Sequence, residues 1–385
     1  MSEEEKLGKA VEVVNIAELR ELARQGINDK VGTYAKHKKY VHLFRKLGDK
    51  YLTKKQKKRA ETCGDILKLG HNITFTKSKV INAMLCGIRW CPLCSWLRSL
   101  KLSMELGIEM FYLHKVKKLE FILVTLTVQN VCGAELEQGI KDLNKAYKRF
   151  VQSRAIQNIS YGEVRKLEVT KSPSLEDSYH PHLHVLAAVN KNYFSSNNYL
   201  HQDDILQLWR RCTRNDTIVG VDVRTVDTSN FGAVLEMAKY GAKSEDYLAS
   251  QTDFDVFYKA LKGKQLLSKG GVFAEAQKMW NNGELDYLLT KDNTEYIYGE
   301  IKAWYYKPEK NAHEYSTINK YKLSVEEYIA VNKDIALEII EQLPIKEIRH
   351  LLEELPSVEE REKVYVHEKD LDTPLSKSSK TSINS

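Results

Sequence analysis

Three histidines at alternate positions, His180, His182 and His184, lie in the segment YHPHLHVLAAV at residues 179–189. The whole chain holds eleven histidines, so three within five residues are a concentration with chemical meaning. Alternation is the side-chain period of a β-strand, and on a strand the three imidazoles share one face. Neutral imidazole is the commonest protein ligand for divalent metals, and neighbouring rings on one face can share an ion. The competing reading is a solvated histidine cluster leading into a core strand. Residues elsewhere must decide.

A catalytic metal needs a third protein ligand while positions stay open for substrate. Glu168, in the middle of LEV on the preceding strand-like segment, is the first candidate. A carboxylate inside a buried hairpin is costly unless it is paired or liganded, and cross-strand neighbours lie close enough to share an ion with His182 and His184. His180 is the alternative third ligand. Imidazole and carboxylate together suit Mn²⁺ or Mg²⁺, with substrate oxygens completing the shell.

A second constellation is EMAKYGAK at 236–243. Glu236, Tyr240 and Lys243 are spaced by four and three, so on a helix they occupy one face. A surface ladder is the bland reading of such a triplet. Beside a metal, Tyr240 gains a role as nucleophile, because a neighbouring cation stabilises charge developing on a phosphate. Lys239 and Lys243 suit backbone phosphates, and Tyr247 is the nearby rival nucleophile.

Four of the six cysteines, Cys63, Cys86, Cys91 and Cys94, cluster early in the chain. Cys91 and Cys94 flank Pro92 in a CPLC turn that aims two thiolates at one point. With Cys86 and Cys63 they supply four soft ligands for structural Zn²⁺. His71 is the weaker candidate for the fourth position, and buried unliganded thiols are the alternative.

The elements that must position these groups follow in order. Phe121–Val128 is a continuous β-rich run that predicts a central strand. Leu136, Ile140, Leu143, Tyr147 and Phe150 then recur at spacings of four and three, the mark of an amphipathic helix. Val164–Thr170 is a second strand, hairpinned to the histidine strand. Ile205, Leu208, Trp209 and Cys212 mark a helix, Val219–Val226 a strand, and 230–243 a closing helix. The order β-α-β-β-α-β-α is that of a ferredoxin-like, split βαβ domain with an extra helix, an α+β fold with an antiparallel central sheet.

Around this core the sequence divides as a basic helical region at 1–60, a Cys-rich zinc-binding unit at 61–118, the α+β core itself at 119–250, a helical region at 251–365 and a disordered polar tail at 366–385. Between Lys30 and Arg59 there are twelve Lys or Arg against one acid, Asp49, with Tyr34, Tyr40, His42 and Phe44 interleaved. Such a stretch suits a phosphate backbone through counterion release, with aromatics able to stack on bases. A solvated basic helix face is the plainer reading. The 385 residues hold 42% hydrophobic and 29% charged residues, a globular balance. No apolar run of membrane-spanning length occurs, and the acidic start MSEEEKLGKAVEVVN has no secretory core, so a cytoplasmic protein is expected.

Together these segments resemble a known family. TLT at 125–127, HPHLHVL at 180–186 and EMAKYGAK at 236–243 look like the motifs of rolling-circle replication initiators of the HUH endonuclease superfamily, in the single-tyrosine class of small Gram-positive plasmids. CGIRWCPLCSWLRSLKL and KGGVFAEAQKMW at 269–280 look like the same family. The resemblance implies metal-dependent nicking of one strand at a plasmid's double-strand origin. Tyr240 would take up the 5′ phosphate and leave a 3′-OH primer, and Glu236 would assist a hydrolytic terminating cleavage. Origin DNA, a host helicase and a polymerase are the implied partners, with self-association left open and no membrane partner. Other readings are an HUH relaxase or single-strand transposase, a non-catalytic zinc-stabilised DNA-binding protein, and a small-molecule metallohydrolase that leaves the basic stretch without a role. EMAKYGAK holds one tyrosine rather than a tandem pair, and the chain shows no GxxxxGK[ST] phosphate loop.

Overall fold

The computed structural model describes residues 30–226, 234, 237, 242–289, 293–332, 352, 353, 355 and 358. Helices in chain order are α1 Lys30–Lys38, α2 Val41–Gly48, α3 Lys54–Glu61, α4 Pro92–Lys115, α5 Leu136–Val151, α6 Arg154–Gln157, α7 Gln202–Thr213, α8 Ser244–Tyr247, α9 Gln251–Leu261, α10 Val272–Asn281 and α11 Val325–Val331. Strands are β1 Ile66–His71, β2 Ser78–Ala83, β3 Leu119–Thr127, β4 Ser160–Lys171, β5 Tyr179–Asn190, β6 Val221–Thr225, β7 Leu267–Lys269, β8 Tyr298–Lys307 and β9 Ala312–Lys322. The fold is α+β. Two compact units share it, one of residues 1–61 and 86–290, the other of 62–85 and 291–385.

The first unit is built on a five-stranded sheet in the order β6-β3-β5-β4-β7, with every neighbouring pair antiparallel. Register explains its two faces. Ile122, Val124, Val185 and Ala187 project to one side, where Phe150 of α5 and Ile205 of α7 lie against them. The amphipathic pattern read for α5 buries Leu136, Ile140, Leu143, Tyr147 and Phe150, as that pattern requires.

The opposite face changes character along each strand. Phe121, Leu123, Val164, Leu186 and Ala188 form its apolar half, packed with α4 residues Leu106, Ile108 and Met110 and with Phe273 and Ala276 of α10. Val234 and Met237, both helical, are buried in this same cluster. Two residues further along β3 and β5 the same face carries Thr125 and His184, then Thr127 and His182. Thus one strand period takes the face from hydrophobic core to polar site.

The three basic helices are short and closely held. Phe44 of α2 meets Phe254 of α9 with centroids 6.4 Å apart, and Tyr51 stacks on Tyr258 at 3.9 Å. Tyr34 and Phe44 are buried, so neither is available for base stacking; they are the apolar faces that dock these helices. Most of the cations, including Lys36, Lys39, Arg45, Lys46, Lys54, Lys55, Lys58 and Arg59, remain exposed.

In the second unit a four-stranded antiparallel sheet runs β2-β1-β8-β9. Its core gathers Tyr296, Ile297, Tyr298, Leu323, Val325, Tyr328 and Val331. The helical region expected at 251–365 is therefore corrected: α9, α10 and α11 are helical, but 298–322 is a β-hairpin. Its turn places Asn311 at φ 45°, in the left-handed region that asparagine tolerates. The closing helix expected at 230–243 lies largely outside the described residues, where only Val234 and Met237 report helix.

Candidate metal centre

Glu168, His182 and His184 come together as the sequence predicted. On β4 and β5 Glu168 stands opposite His182, and Lys166 opposite His184. One ligand atom from each of Glu168, His182 and His184 lies within 4.8 Å of the other two, and all three residues are buried. Oε2 of Glu168 is 3.2 Å from Nε2 of His184.

The outer hydrogen bonds aim the rings. His182 Nδ1 lies 3.1 Å from the carbonyl oxygen of His180, which can only accept, so Nδ1 carries the proton and Nε2 keeps its lone pair. His184 Nδ1 is 3.2 Å from the Thr125 hydroxyl, which leaves Nε2 facing the group. This second layer fixes ring orientation in the way metal-ligating histidines are fixed. His180 is not part of the set: its Nδ1 meets Asn130 Oδ1 at 2.9 Å, and its ring stacks on His182 with centroids 5.1 Å apart. The geometry thus groups Glu168, rather than His180, with His182 and His184.

Charge in the site is arranged around that carboxylate. Burial alone would raise the Glu168 pKa, but the hydrogen bond from His184 and the Lys166 ammonium outweigh it and hold the carboxyl well below the usual range. Burial and the adjacent His184 push His182 down to about 4, so its imidazole is neutral at physiological pH. An ionised carboxylate and neutral imidazoles are the protonation states a divalent ion requires. These nitrogen and oxygen donors fit Mn²⁺ or Mg²⁺.

The chain following the expected Tyr240 helix is anchored beside this site. Asp246 Oδ2 accepts from the backbone N–H of Lys171, three residues beyond Glu168. Asp253, almost fully buried, accepts from Lys171 Nζ at 2.7 Å and from the Tyr179 hydroxyl at 2.9 Å. Lys243, exposed, precedes α8 as its N-cap. Glu236 and Tyr240 lie outside the described residues. Tyr247 does not: it is 1% exposed and its hydroxyl donates to the Trp90 carbonyl oxygen at 3.1 Å. A hydroxyl so enclosed and committed has no access to a phosphodiester, which removes the rival nucleophile.

Cys86, Cys91 and Cys94 are buried in the first unit with sulfurs within 4.8 Å of one another, and Cys63, also buried, belongs to the second. The Cys86–Cys94 sulfur separation is 3.5 Å, near the edge of about 3.8 Å that a tetrahedron of 2.3 Å zinc–sulfur bonds would have. Gly87 N–H donates to Cys94 Sγ at 3.3 Å. The donor set fits zinc. His71 is engaged elsewhere, with Nε2 2.9 Å from Glu300 Oε2.

Sequence reasoning missed Lys166 and the aiming roles of Thr125 and Asn130. Lys166 is two residues before Glu168 and therefore on its face, a signal available from strand periodicity.

Residues 77–328 match the Rep_1 family, described as replication protein. The chain belongs to that family. A Staphylococcus aureus protein named Protein rep is 35% identical over 220 residues, 57% of this chain and 96% of the relative. One of the same name from Bacillus amyloliquefaciens is 30% identical over 302 residues, 71% of this chain and 88% of the relative. A third, from Streptococcus pneumoniae, is 34% identical over 250 residues, covering 62% and 77% respectively. No solved structure matches significantly. The resemblance to plasmid replication initiators drawn from the motifs is borne out, and the buried triad lies within the matched region.

Proposed function

We propose that this replication protein initiates plasmid rolling-circle replication by nicking one strand at the double-strand origin. The observation that carries the reading is the convergence of Glu168, His182 and His184 on the polar half of an antiparallel sheet. The strand order β6-β3-β5-β4 supports the ferredoxin-like, HUH-type reading, with α5 and α7 as the two helices on the other face. Val234 and Met237, both helical, pack with the apolar half of the site's face of that sheet, which supports the reading.

In this mechanism Glu168, His182 and His184 hold the divalent ion, which when bound supplies Lewis-acid polarisation of the scissile phosphate. The Tyr240 hydroxyl oxygen attacks phosphorus and loses its proton. The bond from phosphorus to the 3′ oxygen breaks, and that oxygen takes up a proton to become the primer 3′-OH. The 5′ phosphate stays on Tyr240, so bond energy is kept for strand closure. Lys243 holds a backbone phosphate. Glu236 draws a proton from water for the terminating hydrolysis. The cysteine cluster holds a structural zinc, and the exposed cations of α1–α3 contact the duplex backbone. A host helicase and polymerase would take over at the 3′-OH. Among the described residues, no helix is long and apolar enough to cross a membrane.

The test is incubation of the full chain with Mn²⁺ and a supercoiled plasmid bearing the cognate origin. Wild type is expected to give nicked circles and a covalent protein–DNA adduct, and Tyr240→Phe neither. An adduct formed equally by Tyr240→Phe would overturn the assignment.

A further inference from the structure

Lys166 is 1% exposed, although lysine is among the residues least often buried. Its ammonium lies 2.6 Å from Glu168 Oε2, the oxygen that also meets His184 Nε2 at 3.2 Å. Register places Lys166 directly opposite His184, in the row beside the Glu168–His182 pair. A full positive charge therefore sits inside the group expected to hold a divalent cation, on its one carboxylate.

Burying an ammonium is costly, and the mutual attraction of the pair repays that cost only when the geometry is good. A metal site gains nothing from such a charge if tight binding is the only requirement, because ammonium and metal repel across one carboxylate. We propose that Lys166 is a resident counter-ion of the metal centre. Without the ion it balances Glu168 and holds the carboxylate in place; with the ion it weakens affinity and leaves the site with excess positive charge toward a phosphodiester. It is a positioning residue, acting through Glu168. This rests on the metal-centre reading above and adds a role for a residue outside the ligand set.

The two functions separate in one experiment, Mn²⁺ titration and thermal unfolding of the full chain, with zinc retained and Mn²⁺ present or absent. Lys166→Met removes the charge and keeps the aliphatic volume. Expected is a metal-free Tm well below wild type, a larger Mn²⁺-induced rise in Tm than wild type shows, and a Mn²⁺ Kd at least about tenfold tighter. Equal Tm losses with and without Mn²⁺, together with an unchanged Kd, would make Lys166 a packing residue and overturn the proposal. If Lys166→Met cannot be recovered folded, Lys166→Met combined with Glu168→Gln decides. Recovery of metal-free stability in that neutral pair supports the counter-ion role, and failure to recover overturns it. Absence of Mn²⁺ binding by wild type would instead sink the metal-centre reading itself.

Discussion

Glu168 Oε2 and His184 Nε2 lie 3.2 Å apart on neighbouring antiparallel strands, a contact set by strand register. A slip of one residue between β4 and β5 would carry the carboxylate to the opposite face and dissolve the site. Register is held by apolar pairs on both sides, among them Leu167 opposite Leu183 and Val164 opposite Leu186. The core therefore positions the chemistry.

Removing any ligand should cost metal affinity, and Glu168→Ala should also cost stability because it takes this carboxylate from the buried Lys166 ammonium. His182→Ala, His184→Ala and Glu168→Ala are each expected to lower Mn²⁺ affinity by more than about a hundredfold in calorimetric titration, and Thr125→Val by about ten- to a hundredfold, the usual range for an outer hydrogen-bonding partner. If Glu168→Ala bound Mn²⁺ normally while His180→Ala did not, the third ligand would be His180.

Metal-free stability should fall with acid in a defined window. Burial, with His184 adding to it, holds His182 at about 4 in the folded state against 6.5 as the ordinary value. Between those two values the unfolded chain binds a proton that the folded chain excludes, so stability present above 6.5 is lost as pH falls toward 4. The expected loss from pH 7 to pH 4.5 is about 2–3 kcal/mol from this residue. Glu168, depressed in the fold, adds a loss of the same sign at lower pH. Urea unfolding of the metal-free, zinc-loaded chain checks this: His182→Asn should flatten the slope, and an unchanged slope would remove His182 as its source.

How much of this was legible in sequence depends on how local the signal was. The histidine strand and the Glu168 strand, each 12 residues, and α5, 16 residues, declare themselves locally, and their order implies the sheet. The second unit did not. Its sheet pairs Ile66–His71 with Tyr298–Lys307, more than 200 residues apart in sequence, and neither segment alone indicates the other. A local clue existed: Tyr298, Glu300, Lys302, Trp304 and Tyr306 alternate with a second set up to the turn at Pro308–Asn311. The helical reading of 251–365 passes over this alternation, although aromatics favour strands. Lys166 escaped notice because a lysine beside a core strand reads as solvent-facing, and only pairing shows it enclosed.

The cysteine group should behave as a metal centre independent of the triad. Cys91→Ser or Cys94→Ser is expected to lose one zinc per chain by atomic absorption and to cost about 3 kcal/mol or more of stability, since a structural metal contributes its binding energy to folding. Mn²⁺ binding should remain. A full zinc complement in both variants would leave the cysteines as buried thiols.

The two tyrosines offer a sharp contrast. Tyr247→Phe removes one hydroxyl that donates to Trp90 within an aromatic cluster of Trp90, Phe254 and Phe257. The expected cost is about 1 kcal/mol of stability, with origin nicking and adduct formation retained. Tyr240→Phe should keep wild-type stability and lose both activities. Loss of adduct in Tyr247→Phe at intact stability would reopen its assignment as nucleophile.

Asp253 offers the last test, of how the site is braced from behind. Its carboxylate accepts from Ser250, the N-cap of α9, from Tyr179, the first residue of β5, and from Lys171, the last residue of β4. One carboxylate thus ties the ends of both site-bearing strands to the helix on which α2 docks. Asp253→Ala would strand the Tyr179 hydroxyl and leave the Lys171 ammonium without this partner. Breaking a buried pair typically costs more than its net value, and discounting for the partial exposure of Lys171 the expected loss is about 2–4 kcal/mol. Because the anchored residue Tyr179 lies three positions before His182 on β5, Mn²⁺ affinity should weaken along with stability. Urea unfolding and Mn²⁺ titration of the same variant read both effects. A stability loss with unchanged Kd would show that β4 and β5 hold their register without this brace.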